Sequence, residues 1–158
     1  MPLCNLADLP RLIGKNQCLL GLDNGSKHIG VAISDPGLVL ASPLCTIERG
    51  KFAATLETLR KIIQERQIGG LVIGLPLTLE GTTGPAAQSA RTLASNLDKA
   101  LNLPIAFQDE RFSTAAIQRE LTEVADLSRA KRAAAVDKLA ASYILQGALD
   151  YLRTWDSR

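Results

Sequence analysis

An apolar run of five residues, Cys18 to Leu22, stops at Asp23, and the polar stretch Asn24-Gly25-Ser26-Lys27 follows before Val31, Ala32 and Ile33 resume the apolar pattern. A short continuous run without alternation suits a strand buried on both faces. Gly25 permits the backbone geometry of a tight turn. The two runs therefore read as a hairpin, with Asp23 where the sheet ends and solvent begins. A carboxylate in that place either shapes the turn or presents an acid to a phosphate.

The rest of the chain alternates in the same way. Leu38 to Ile47 is rich in apolar residues but holds Pro43, which predicts an edge strand with a bend and completes a three-stranded antiparallel start. Phe52, Leu56, Leu59, Ile62 and Ile63 recur at helical spacing between Gly50 and Gly69, so an amphipathic helix ended by glycine is expected there. Gly70 to Leu75, stopped by Pro76, suits a buried parallel strand, and Pro85 to Leu101 a second helix. Pro104 to Glu110 reads as a fifth strand. Ser113 or Thr114 can cap a third helix running to about Val124, and Ser128 a long last helix running to about Arg153. Residues 1–16, with two prolines and little periodicity, read as a loosely attached lead-in. The expected organisation is one domain over 17–153 with a tail at 154–158. Its class is α/β, a mixed five-stranded sheet flanked by helices.

Bulk properties narrow the function classes. A chain of 158 residues buries roughly 68–70% of its unfolded surface, enough for a core without disulfides. Cys4, Cys18 and Cys45 are odd in number and lack Cys-x-x-Cys spacing, which predicts reduced thiols and the cytoplasm. No run approaches the ~20 apolar residues of a membrane span, and Met1 to Pro10 lacks a signal-peptide pattern. A net charge of +2 neither requires nor excludes nucleic acid, since such binding rests on a local basic face. Only 4% of residues are aromatic, so stacking platforms for single-stranded bases are not evident.

Three acids stand out by position. Asp23 ends the first strand. Gln108-Asp109-Glu110-Arg111 follows an apolar strand, and loops at strand ends are where α/β proteins bind ligands. Neighbouring strand residues point to opposite faces, so Asp109 and Glu110 do not both enter one site. Glu110 shares its face with Gln108 and Ala106, which makes it the better candidate for a polar cleft and leaves Asp109 a supporting place. The third acid, Asp137, lies at about 100° per residue within the arc of Ala133, Ala140, Ala141, Ile144 and Ala148 that should face the sheet. A carboxylate there calls for a hydrogen bond, a proton or a cation. Three ionised carboxylates ~4–6 Å apart repel by at least about 1 kcal/mol per pair even in water. Hard oxygen ligands in that number suit Mg²⁺ or Mn²⁺. Two such ions ~3.5–4 Å apart support hydrolysis of a phosphodiester. Zinc is disfavoured by a single histidine and scattered cysteines.

Four segments carry a resemblance: Gly21-Leu22-Asp23-Asn24-Gly25-Ser26-Lys27-His28-Ile29-Gly30-Val31-Ala32, Val72-Ile73-Gly74-Leu75-Pro76-Leu77-Thr78-Leu79-Glu80-Gly81-Thr82, Asp109-Glu110-Arg111, and Val136-Asp137-Lys138-Leu139-Ala140-Ala141. In this order and spacing they resemble the YqgF family of Holliday-junction-resolvase-like proteins and pre-16S ribosomal RNA nucleases, over Leu19 to Leu152. The resemblance implies a ribonuclease H-like fold and a divalent-metal site in which Asp23, Glu110 and Asp137 are both catalytic residues and metal ligands. It implies a nucleic-acid partner, with structured RNA favoured and branched DNA the alternative. Two positions depart from the family pattern. His28 stands where arginine is usual, and Thr78-Leu79-Glu80 where Asn-Met-Asp is common. Neither removes a metal ligand.

Lys27, Arg111, Lys131 and Arg132 are the cations best placed to grip a nucleic-acid backbone, Arg111 foremost because a guanidinium holds phosphate bidentately. Gly25 and Asp109 support the site. Two other classes compete: a non-catalytic nucleic-acid-binding module of the same fold, and an actin-like phosphate-binding protein. The latter needs two related domains, for which 158 residues leave too little chain.

Overall fold

The computed structural model describes residues 4–25, 28–75, 84–109 and 129–156. β1 (Cys18–Asn24), β2 (His28–Ser34) and β3 (Ala41–Glu48) are followed by α2 (Phe52–Glu65), β4 (Ile68–Leu75), α3 (Pro85–Leu101), β5 (Ile105–Asp109) and α4 (Arg129–Asp156). A 3-10 turn at Leu6–Asp8 and the short α1 (Leu9–Leu12) precede them. The strands form one sheet in the order β3-β2-β1-β4-β5. β2 pairs antiparallel with both β1 and β3, whereas β4 pairs parallel with β1 and β5. The expected mixed five-stranded sheet is therefore present, with β1 at its centre.

The sheet separates two apolar layers. On one face Leu20, Leu22, Ile29, Val31, Leu71 and Ile73 pack with Leu59 of α2 and Ala90, Ala94 and Leu97 of α3. On the other, Leu19, Ala32, Val72 and Ala106 pack with Ala141, Ile144, Leu145, Ala148 and Leu149 of α4. Leu19, Leu20 and Leu22 are all fully buried, as a strand covered on both faces must be. Burying each such side chain contributes about 1.5–3 kcal/mol.

Several boundaries differ from expectation. The lead-in is not loose. Leu9 is fully buried in the α4 layer, and the Cys4 amide donates to the Ile105 carbonyl at 2.9 Å. α2 does not end on glycine: Gln67 takes the left-handed turn, with φ 54°, and β4 begins at Ile68, so that Gly69 and Gly70 lie inside the strand. A Cβ on Gly69 would lie 2.3 Å from Gln17 Oε1, and one on Gly70 would lie 3.1 Å from Leu19 Cδ2. These glycines admit neighbours and do not stop a helix. β3 starts at Ala41, after Leu38 has turned with φ 58°, and α4 runs on to Asp156. α3 spans Pro85–Leu101 as expected, with Pro85 in its first turn and left-handed Asn102 beyond its end. The helix expected from Ser113 or Thr114 to Val124 and the Ser128 cap lie outside the described residues.

Candidate active site

Alternation along β1 assigns Asp23 to a face. A Cβ on Gly21 would lie 2.7 Å from Leu145 Cβ and 3.1 Å from the Ala141 carbonyl oxygen, so Gly21 faces α4 at close range. Leu19 belongs to the same layer. Asp23, two residues beyond Gly21, faces the α4 side at the C-terminal end of β1 and is half-buried.

The direction of α4 follows from its polar ties. Gln146 Oε1 accepts the Ala41 amide at 2.8 Å, and its Nε2 donates to the Val39 carbonyl at 2.9 Å. Ala41 pairs with Ser34, and the Ser34 hydroxyl accepts the Leu19 amide at 2.9 Å. Residue 146 is thus level with the start of β1, while residues 141 and 145 are level with Gly21. Lower numbers on α4 lie towards the end of β1. Position 137, one turn before Ala141 on α4, falls at the same end of the sheet as Asp23, and α4 packs on the face that Asp23 takes. Lys131 and Arg132 lie nearer still to the helix start.

β5 contributes the third approach. Gln108 Nε2 would stand 3.2 Å from a Cβ on Gly147, so Gln108 faces α4, and Ala106 is fully buried in that layer. The face expected for Glu110 is thereby the α4 face as far as the strand is described. Asp109 closes β5 opposite Leu75, after Ile105 and Phe107 of the other layer. Glu110, Arg111 and Lys27 lie outside the described residues. Among the described residues no group of three acids, histidines or cysteines is assembled to hold a metal.

Polar contacts fix the turn that follows Asp23. The Gly25 amide donates to the Asp23 carbonyl at 3.0 Å. Asn24 Nδ2 donates to the Ser89 hydroxyl at 2.9 Å, tying the end of β1 to α3. Arg49 Nη1 donates to the Gly25 carbonyl at 3.0 Å, tying the same turn to the end of β3. Sequence reasoning missed Arg49 and Asn24. The signal for Arg49 is its place directly after Glu48, which the β2–β3 register sets opposite His28.

Asp35 marks the opposite end. Its carboxylate accepts the amides of Leu40 at 2.9 Å and Val39 at 2.7 Å, and these backbone donors, Leu40 foremost, hold its pKa below the ordinary carboxylate value. Burial pushes the Cys18 thiol up, which suits an inert packing residue. No described helix is long and apolar enough to cross a membrane.

Known proteins with similar sequence or fold place the chain in a family. The family model of RuvX, described as Holliday junction resolvase, matches residues 17–151. A Gluconacetobacter diazotrophicus protein named "Putative pre-16S rRNA nuclease" is 49% identical over 150 residues, 95% of this chain and 97% of its own. A Rhodobacter capsulatus protein of the same name is 53% identical over 146 residues, 92% of this chain and 89% of its own. Among solved structures, T. thermophilus RuvC in complex with Holliday junction substrate superposes with a TM-score of 0.55 over 88% of this chain and 96% of that one. At 13% identity that likeness shows the fold alone, the ribonuclease H-like one. Matched over nearly all of its sheet and helices, and about half identical to relatives along most of their length, the chain is a member of the RuvX family, the YqgF family that its motifs resemble.

Proposed function

We propose that this protein is a divalent-metal-dependent nuclease whose Asp23, Glu110 and Asp137 hold Mg²⁺ or Mn²⁺ and act on precursor 16S ribosomal RNA, at its 5′ end, in the cytoplasm. One observation supports the reading: β1 and α4 run so that positions 23 and 137, 114 apart in the chain, fall at the same end of the sheet, with α4 packed on the face that Asp23 takes. Carboxylates gathered there repel one another unless cations are bound. Oxygen donors of this kind fit a hard divalent ion. When bound, such ions activate water and stabilise the departing oxygen of a phosphodiester.

The chain's own residues have distinct parts in this scheme. Asp23 is held by a turn tied at Gly25 and Asn24, so its carboxylate keeps one bearing as substrate arrives. Glu110 follows a strand whose Ala106 and Gln108 lie in the α4 layer, which supports the assignment of Glu110 over Asp109 as ligand. Gly25 and Asp109 support the site. Lys27, Arg111, Lys131 and Arg132 grip the nucleic-acid backbone, the two on α4 from the turns that precede Asp137. The names of the near-half-identical relatives favour precursor ribosomal RNA as substrate. The family description favours a second reading, cleavage of a four-way DNA junction.

The test is cleavage of a labelled precursor 16S RNA and of a labelled four-way junction, with Mn²⁺ and with EDTA. Cleavage of the RNA that EDTA abolishes, and that Asp23→Asn and Asp137→Asn each reduce by at least about a hundredfold, is expected. Cleavage of the junction alone establishes the second reading. Binding without cleavage of either, with metal occupancy verified, leaves a non-catalytic nucleic-acid-binding module and overturns the proposal.

A further inference from the structure

We propose that Arg49 is a phosphate-contacting residue of the nucleic-acid interface, seated by the Gly25 carbonyl beside the turn that bears Asp23. This rests on the nuclease reading above and adds a contact point to it. Arg49 follows the last residue of β3, at the end of the sheet where β1 finishes and where the N-terminal half of α4 lies. Its Nη1 donates to the Gly25 carbonyl at 3.0 Å, two residues past Asp23. The residue is exposed, and among the described residues it makes no ion pair. Of the five N–H donors on a guanidinium, the turn uses one.

A side chain anchored in this way is pre-organised. It has already lost much of the rotamer freedom that a free surface arginine must give up on binding, and the planar fork that remains matches a phosphate. Anchoring on a carbonyl does not neutralise the charge, as a carboxylate would. Lys51 stands two residues on, also exposed, and a Cβ on the intervening Gly50 would meet nothing within 4 Å, so the loop is open to a large ligand. Glu48 opposes His28 on the adjoining strand pair, and it is the acid nearest in sequence. A polyanion that brings a phosphodiester to Asp23 passes this loop. A cation there offsets the repulsion between its backbone and the acidic site.

The test compares wild type, Arg49→Gln and Arg49→Lys in binding a labelled precursor 16S RNA and a labelled four-way DNA junction, with Ca²⁺ in place of the catalytic metal, from 50 to 200 mM salt. Thermal melting checks that each variant is folded. Arg49→Gln is expected to weaken binding about five- to tenfold at low salt and to lower the slope of log K against log salt by about 0.7 on RNA or 0.9 on DNA, the loss of one phosphate contact. Arg49→Lys restores the slope but not all of the affinity, because an ammonium meets phosphate as a point charge and not bidentately as the guanidinium fork does. If Arg49→Gln binds within twofold of wild type with an unchanged slope while its cleavage slows, Arg49 merely positions the turn and the inference fails. If wild type binds neither probe, the nuclease reading fails first, and this inference with it.

Discussion

The two faces of the sheet are built from different residues. The face towards α2 and α3 is filled by leucine and isoleucine, with Leu20, Leu22, Leu71 and Ile73 meeting Leu59 and Leu97. The face towards α4 is lined largely by small residues, Gly21, Ala32, Val72 and Ala106, opposite Ala141 and Ala148. The first arrangement places bulky side chains on the sheet itself, each of which contributes stability when buried. The second gives up area for proximity, letting α4 lie so close to β1 that a single added Cβ collides with it. On the proposed reading, that closeness is what would bring Asp137 towards Asp23. The large-residue face is filled by bulky side chains on both layers, and the small-residue face fixes how closely α4 approaches the end of β1 that carries the proposed site.

Substitutions that separate the two roles sharpen this contrast. Leu22→Ala, on the large-residue face, should have the greatest effect on stability, about 2–5 kcal/mol by urea unfolding, with the cleavage rate of the folded fraction little changed. Gly21→Val, on the small-residue face, should cost less, about 1–3 kcal/mol. Its cleavage rate per folded molecule should nonetheless fall sharply, because Leu145 and the Ala141 backbone must move and carry α4 with them. Equal rates for the two folded variants would break the comparison. Gly147→Ala tests whether all close approaches on this face are equally tight. Its Cβ meets only the amide end of Gln108, at 3.2 Å, so the gain in helix propensity should prevail, raising stability by about 0.5–1 kcal/mol.

The smallest effect is expected far from the site, at Asp35. Backbone donors lower its carboxyl pKa from 3.8 in the folded state. The stability it contributes is therefore fully present above about pH 3.8 and is lost as the pH falls through the lower folded value. The difference in melting temperature between wild type and Asp35→Asn should be widest above that pH and close below it. An unchanging difference from pH 7 to pH 3 would contradict the assignment.

Much of this was legible in the sequence because it rests on local pattern. The hairpin around Asp23, the helix Pro85–Leu101 and the long last helix follow from apolar period and from proline at a helix start. The apolar stripe of Ala140, Ala141, Ile144 and Ala148 on the last helix was legible from the same period. What escaped depends on contacts between distant residues. Gly69 and Gly70 look like a stop signal, but Gln17 and Leu19, packed against them from another element, decide that they belong to β4. Leu9 and Ile13 have helical spacing, yet only the groove beside Gly70 shows why they are anchored. Arg49 carries no motif of its own, and only the register of β3 brings it to the turn after Asp23.

A crystal soaked in Mn²⁺, with the ion located by its anomalous scattering, measures the meeting of the three acids most directly. Manganese coordinated by the carboxylates of Asp23, Glu110 and Asp137 at the C-terminal end of β1 is the predicted result. Manganese bound elsewhere, with the Asp137 carboxylate turned away from Asp23 and out of reach of any shared ion, would contradict it.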